Sequence, residues 1–247
     1  MAWNLTIVAR AAWAPGLDGP ADWADWAAGR RAIEPSESSP DLPFLPSLFK
    51  RRLGQLDRMT LLAGHEALAG ASPRRFVLAT RRGEIGQQYR IAAALAAAGE
   101  VSPAAFSLSV FNAPASLLSM AERNPGAACA IHAGAQSFAA GLCCCLGMLA
   151  SDPSPLLLVA ADELLPETYS ELEGDRGLPY ALALHLAPGG TEGGEALSVE
   201  AGRSNGGPSS EPEALAFLRW LLAGSGELRI GGDELPLSVS RSHGGRV

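Results

Sequence analysis

Apolar residues change their spacing repeatedly along this chain, and each change predicts an element. Leu5 to Ala9, Phe76 to Thr80, Pro155 to Ala161 and Pro179 to Ala187 are short β-rich runs that predict strands. The run 155–161 is apolar at almost every position, as a strand covered on both faces requires. Ala128 to Ala133, between Gly126 and Gly134, reads as another buried strand. Helical spacing covers 48–69, with Leu53, Leu56, Met59, Leu62 and Ala63 on one side. Further helices are predicted over 22–30 with Asp22 as cap, over 87–98 ended by Gly99, and over 114–121. Pro103 opens a short helical turn within 102–107, and Glu34 to Pro46 is an irregular, Pro- and Ser-rich segment. The order of strands and helices predicts a layered α/β domain, helices on a mixed sheet of five or more strands.

Ser137 to Ala150 carries no charge on any side. A helix that is apolar all round is expected to be buried, and fourteen residues are too few to span a bilayer. Its small residues Ala139, Ala140, Gly141 and Gly147 allow neighbouring backbones to come close. Gln136 is the one large polar side chain here, placed where strand turns into helix. In α/β sheets, sites gather at the carboxyl ends of strands, and a helix N-terminus offers free N–H groups to a carbonyl or anion. A nucleophile is the usual occupant of such a turn. A glutamine amide donates and accepts hydrogen bonds but cannot form an acyl-enzyme, so Gln136 reads either as a helix-start residue or as a binding group.

Composition shifts at Pro188, where Gly, Ser, Pro and Glu become frequent. Beyond it come a strand over 196–200, a flexible loop over 202–212, an amphipathic helix over 213–222 and a hairpin of 227–230 with 235–239. The helix is expected to bury Leu215, Leu218 and Leu222. This divides the chain into a domain over 1–190 and a segment over 191–247 packed on it.

Of 247 residues, 47% are hydrophobic and 18% charged, enough for a large core. A net charge of −7 argues against a nucleic-acid partner. Arg74, Arg75, Arg81, Arg82 and Arg90 form either a local basic patch or a solvated face of mixed charge. The start lacks the charged and apolar regions of a signal peptide, and no stretch is long enough for a membrane span, so a soluble cytoplasmic protein is expected. Cys129 and the triplet Cys143, Cys144, Cys145 lack metal-ligand spacing and read as reduced, apolar-like residues. No metal or cofactor is expected.

The segment around Gln136 resembles the nucleophile elbow of the β-ketoacyl synthases of the thiolase-like fold, with Gln136 at the position of the catalytic Cys. Two further stretches agree. Arg51-Arg-Leu-Gly-Gln-Leu-Asp-Arg-Met-Thr60 resembles the arginine- and methionine-containing segment that opens an early ketosynthase helix. Ser109-Val-Phe-Asn-Ala-Pro-Ala-Ser116 resembles the Ser-Val-His-Asn-Ala-Pro-Ala segment of aryl polyene ketosynthases and chain-length factors, with Phe111 where His is common. Gln in place of Cys marks chain-length factors and also loading ketosynthases that decarboxylate malonyl groups.

The resemblance implies a thiolase-like N-terminal half with a C-terminal helix and hairpin after it. The family's two catalytic histidines, its lysine and its Gly-Phe-Gly-Gly loop belong to a C-terminal half that this sequence lacks. His65, His132, His185 and His243 match none of its histidine motifs; His132 reads as a buried, hydrogen-bonded residue, and Asp162-Glu163 as solvated strand-end residues. The implied role is a non-catalytic chain-length factor forming a heterodimer with a complete ketosynthase in aryl polyene or related polyketide, fatty-acid-like synthesis. An acyl carrier protein would be reached through that partner. The strand before the elbow would pair across a two-fold axis, using its open polar edge. Phe111, Asn112, Leu117, Ala130 and His132 are the candidate tunnel or interface residues. A malonyl-carrier decarboxylase using Gln136 and a homodimeric carrier-protein adaptor are the alternatives.

Overall fold

Residues 2–173, 176–202 and 211–242 are described by a computed structural model. The chain runs through β1 (Ala2–Trp13), α1 (Pro20–Ala27), α2 (Ser47–Lys50), α3 (Gln55–Leu68), β2 (Arg75–Ala79) and α4 (Ile85–Ala98). It continues through α5 (Pro103–Ser107), α6 (Ala113–Ala121), β3 (Ala127–Ile131), α7 (Ser137–Ser151), β4 (Leu156–Asp162) and α8 (Glu167–Glu173). β5 (Tyr180–Pro188), β6 (Glu195–Ala201), α9 (Glu213–Ala223), β7 (Leu228–Ile230) and β8 (Leu237–Arg241) complete it. The strands form one mixed sheet in the order β3-β2-β4-β5-β1-β6-β8-β7. β3, β2 and β4 run parallel; every other neighbouring pair is antiparallel. This is a layered α/β architecture, with helices on both faces of one mixed sheet, as expected.

Side-chain alternation along the central strands divides the core into two layers. Val77, Ala79, Leu156, Leu158 and Ala160 pack with Phe138, Leu142 and Cys145 of α7 and Leu215 and Phe217 of α9. Phe76, Leu78, Leu157, Val159 and Ala161 pack with Leu56 and Met59 of α3 and Leu118 of α6. β4 is buried on both faces, in keeping with its apolar run. Gly141 brings α7 against the sheet: a Cβ there would lie 2.8 Å from Ala79 Cβ.

Several expectations are corrected. β1 spans twelve residues because it pairs on both sides, with β5 and β6, so main-chain bonding recruits its polar positions. The helix expected over 48–69 breaks at Gly54, whose backbone is extended and whose N–H donates to Asp57 Oδ2 at 3.0 Å. α3 buries Leu61 while Leu62 is half-buried. Gly19, not Asp22, is the N-cap of α1; Asp22 lies in the first turn and accepts from Asp18 N. Phe217, Trp220 and Leu221 occupy the buried side of α9, leaving Leu222 37% exposed. The acid-rich α8 has no counterpart among the predicted helices. Residues 203–210 of the expected loop, and His243, lie outside the described residues.

Two larger corrections concern the elbow. β3 is not a buried strand: it is the edge of the sheet, with Ala127 and Ala128 exposed and Cys129, Ala130 and Ile131 half-buried. α7 buries one side only, leaving Gly147 and Ala150 exposed and Cys143, Cys144 and Met148 half-buried. Together with the 3₁₀ turn before it, α7 makes a continuous helical stretch, Gly134–Ser151. That stretch is long and apolar enough to cross a membrane by length and composition, contrary to the sequence expectation. Here Phe138, Leu142, Cys145, Leu146 and Leu149 place it in the core as a packed helix.

Candidate functional site

β3 passes through His132 and Ala133 into a 3₁₀ turn, Gly134–Gln136, and then into α7. The turn is closed by its own chain. Gln136 N donates to Ala133 O at 3.0 Å. Ser137 Oγ accepts from Ala133 N at 3.0 Å and donates to Gly134 O at 2.7 Å. Gly134 takes the left-handed conformation, φ 55°, that the reversal needs. Gln136 itself is at φ −91°, ψ 14°, in the bridge region available to ordinary residues. It is half-buried, with its amide nitrogen 3.2 Å from where a Cβ on Gly232 would stand. The loop between β7 and β8 therefore covers it.

The N-terminus of α7 is occupied from within. Glu213, first residue of α9, accepts from Ala139 N at 3.2 Å through one carboxylate oxygen and from Gly231 N at 2.6 Å through the other. Burial raises the Glu213 pKa, opposed by these two N–H donors. The first turn of a helix is where an oxyanion or a substrate carbonyl would find donors. Here a side chain of the same protein claims one of them. From sequence Glu213 reads only as the first residue of a helix, directly after Pro212.

Two of the predicted site residues come together. Phe111 and His132 meet edge-on, with ring centroids 5.8 Å apart. Phe111 also packs on the Gly83 backbone, where a Cβ would lie 2.5 Å from its ring. His132 is exposed at the end of β3, not buried as expected, because no strand lies beyond β3 among the described residues. Asn112 is exposed at the start of α6, where its carbonyl accepts from Ser116 N. Leu117 is set apart in the core with α3, 8% exposed. Ala130 is half-buried on the edge strand, facing the α3 layer, while Cys129 and Ile131 face α7.

At the carboxyl end of β4, Asp162 is half-buried and Glu163 buried, where solvated residues are expected from sequence. Asp162 accepts from Thr80 Oγ1, Arg81 N and Tyr180 OH at 2.7–3.1 Å. Its pKa is raised by burial and held back by those donors. Glu163 is 5% exposed and accepts from Gly86 N at 2.6 Å. The five arginines do not share one role. Arg75 donates to Met148 O and Asp152 O at 2.9 Å each and to Ser154 O, closing the C-terminus of α7. Arg90 is bound to Gln87 Oε1. The Cys129 thiol is pushed up to about 11, first by burial and then by Cys144, and burial also raises Cys143 and Cys145.

Comparison with known proteins matches this geometry to a family. A model of the β-ketoacyl synthase N-terminal domain matches residues 23–236. A chain of the ketosynthase (ApeO) in complex with its chain length factor (ApeC) from Xenorhabdus doucetiae is 28% identical, with a TM-score of 0.84. The match covers 96% of this chain and 99% of that one, so the two are of nearly equal length. The ishigamide ketosynthase/chain length factor is 14% identical, TM-score 0.57, over 76% of this chain and 59% of that one. A chain of AntDE:AntF, a type II acyl-carrier protein in complex with its ketosynthase bound to the hexaketide, is 12% identical, TM-score 0.59, over 75% and 62%. The last two show a shared fold, and this sequence spans less than two thirds of their length. No curated protein matches the chain.

Proposed function

The chain belongs to the β-ketoacyl synthase N-terminal domain family, and from that premise we propose that it is a non-catalytic chain-length factor. It pairs with a complete ketosynthase in the cytoplasm and forms part of the wall of that partner's acyl tunnel. The pathway is aryl polyene or related polyketide synthesis, and the acyl carrier protein docks through the partner.

The observation that carries this reading is the open edge of β3 beside the elbow. Ile131 O points to β2, where it accepts from Thr80 N at 3.1 Å. Backbone groups alternate in direction along a strand, so the N–H and C=O of Ala128 and Ala130 point outward from the sheet. Natural edge strands are protected by charges, prolines, bulges or a covering element. Ala127-Ala-Cys-Ala-Ile131 has no charge and no proline, and among the described residues β3 pairs with β2 alone. Such an edge is suited to pairing with a second strand across a two-fold axis. Immediately beyond it, the elbow carries Gln136, which cannot be acylated. Exposed Phe106, Val110 and Met120 add apolar surface nearby in sequence.

The decarboxylase alternative needs free donors at the α7 N-terminus to polarise a thioester carbonyl. Glu213 occupies Ala139 N, which weighs against it. The test is co-expression with a ketosynthase encoded beside this chain. A one-to-one complex that makes longer products than the ketosynthase alone supports the proposal. A ketosynthase that makes identical products without this chain overturns it.

A further inference from the structure

α4 is apolar from Ile91 to Ala98, yet none of its residues is buried, and residues 92–98 are all exposed. Among the described residues, its tertiary hydrogen bonds come from its first turns. Gly86 N donates to Glu163, Gln87 Nε2 to Ala105 O, Gln88 Nε2 to Ser109 O, and Tyr89 OH meets Thr168 Oγ1. The helix is held at its beginning and projects from there.

That beginning sits on three carboxyl groups from three elements. Asp57 comes from the first turn of α3, Glu84 is the N-cap of α4, and Glu163 lies just after β4. Asp57 and Glu84 are each 1% exposed. Asp57 Oδ2 accepts from Gly54 N and Glu163 Oε1 from Gly86 N, but Asp57 Oδ1 and Glu84 Oε1 have no donor to accept from. The Asp57 and Glu84 side chains hydrogen-bond to each other, which two carboxyl groups can do only when one of them carries a proton. Among the described residues, Arg58 and Arg90 are the cations that act on these carboxyls most directly. Arg58 is spent on Pro40 O and Lys50 O at 3.3 and 3.0 Å, and Arg90 on Gln87 Oε1. They do not form a direct bond to the cluster that would balance three negative charges.

We propose that a proton held in the Asp57–Glu84–Glu163 cluster fastens the first turn of α4 to α3 and β4, and that losing it releases the helix. When all three carboxyls ionise, Glu84 repels both Asp57 and Glu163 across buried space, and no buried side chain further along α4 resists its departure. The direction of titration agrees. Glu84 is pushed up to about 10 by burial, then by the charges of Asp57 and Glu163. Glu163 is raised to about 7 and Asp57 to about 6, burial first in each case. The protonated cluster is therefore the neutral-pH state, and release belongs to alkaline pH. This device is internal to the chain and does not depend on the chain-length-factor reading.

Hydrogen exchange of the full chain, read by mass spectrometry from pH 6 to 10 and corrected for the chemical exchange rate, tests it. Protection of residues 85–98 is expected to fall with rising pH, approaching about tenfold per pH unit when one proton is lost. α7 keeps its protection over the same range. Glu84→Gln, which stays neutral and can donate to Asp57, is expected to flatten the response. Constant protection of α4 in the wild type, an unchanged slope in Glu84→Gln, or a parallel loss in α7 overturns the proposal. Should Glu84→Gln fail to fold, Glu163→Gln takes its place: a reduced slope supports the device and the wild-type slope overturns it.

Discussion

Glu213 accepts a hydrogen bond from the backbone N–H of Ala139 at 3.2 Å, joining the start of α9 to the start of α7 across 74 residues of sequence. The same carboxylate holds Gly231 N at 2.6 Å, so one side chain ties the C-terminal helix and hairpin to the elbow. A helix N-terminus leaves N–H groups without partners, and in an acyl-transfer enzyme such groups are available to substrate. Here the chain satisfies one itself, which converts a binding feature into a structural one.

Removing that carboxylate leaves two half-buried N–H groups unpaired. Glu213→Ala is expected to cost about 1–3 kcal/mol, the range for a lost cap and an unmade buried bond. Glu213→Gln, which keeps one carbonyl acceptor, should cost less. Urea unfolding of the three proteins measures it, and equal stabilities would show that water replaces the carboxylate without loss.

At Gly141 a Cβ would meet Ala79 Cβ at 2.8 Å and Leu158 Cδ1 at 3.2 Å. Both neighbours lie in the packed sheet, so Gly141→Ala is expected to force α7 outward and destabilise by about 1–3 kcal/mol. Gly147→Ala is the control on the same helix, since nothing lies within 4 Å of a Cβ there. A thermal melt that separates the two variants checks the packing.

Stability should fall as pH rises. Glu163 carries a folded-state pKa of about 7 against an ordinary value of 4.5. Between those values the folded chain binds more protons than the unfolded one, so the free energy of unfolding decreases with pH through that window. The shift corresponds to roughly 3 kcal/mol, fully lost above about pH 7. Urea midpoints from pH 4.5 to 8 are expected to decline more in the wild type than in Glu163→Gln.

The backbone of Ala130 points out from the open edge of β3, in the middle of the surface expected to meet the partner. Its side chain faces the α3 layer, so Ala130→Asp sets a half-buried carboxylate beside that edge, which pairing would bury further without a counter-charge, at a cost of roughly 3–5 kcal/mol. Wild type should co-elute with its ketosynthase while Ala130→Asp elutes alone. A variant that still co-elutes would move the interface away from β3.

Cysteine modification should be slow. With Cys129 pushed up to about 11 and Cys143 and Cys145 raised by burial, these groups are thiols at neutral pH. Intact mass after exposure to a cerulenin-like epoxide or an acyl-carrier thioester is expected to be unchanged at pH 7.5. Stoichiometric labelling of any cysteine would mean that an acylation site exists outside the elbow.

Local pattern was enough for the features that depend on neighbours in sequence. These are the continuous apolar run of β4, the helix N-terminal to Gly99, the glycine-linked hairpin and the place of Gln136 between strand and helix. The three motifs around Arg51, Ser109 and Gln136 carried the family in the same way. Features that depend on distant partners became visible only in the folded chain. Whether Ala127 to Ile131 is central or at an edge depends on which strand lies beyond β2, and apolar composition is the same for both. Asp57, Glu84 and Glu163 are far apart in the chain and look like surface acids until α3, α4 and β4 bring them together. Glu213 reads as a helix opener because the N–H groups it serves belong to Ala139 and Gly231, which only folding places beside it. Periodicity records which side of an element is apolar; the contact between elements decides which buried polar group meets which, and that is where this elbow became a closed structural joint.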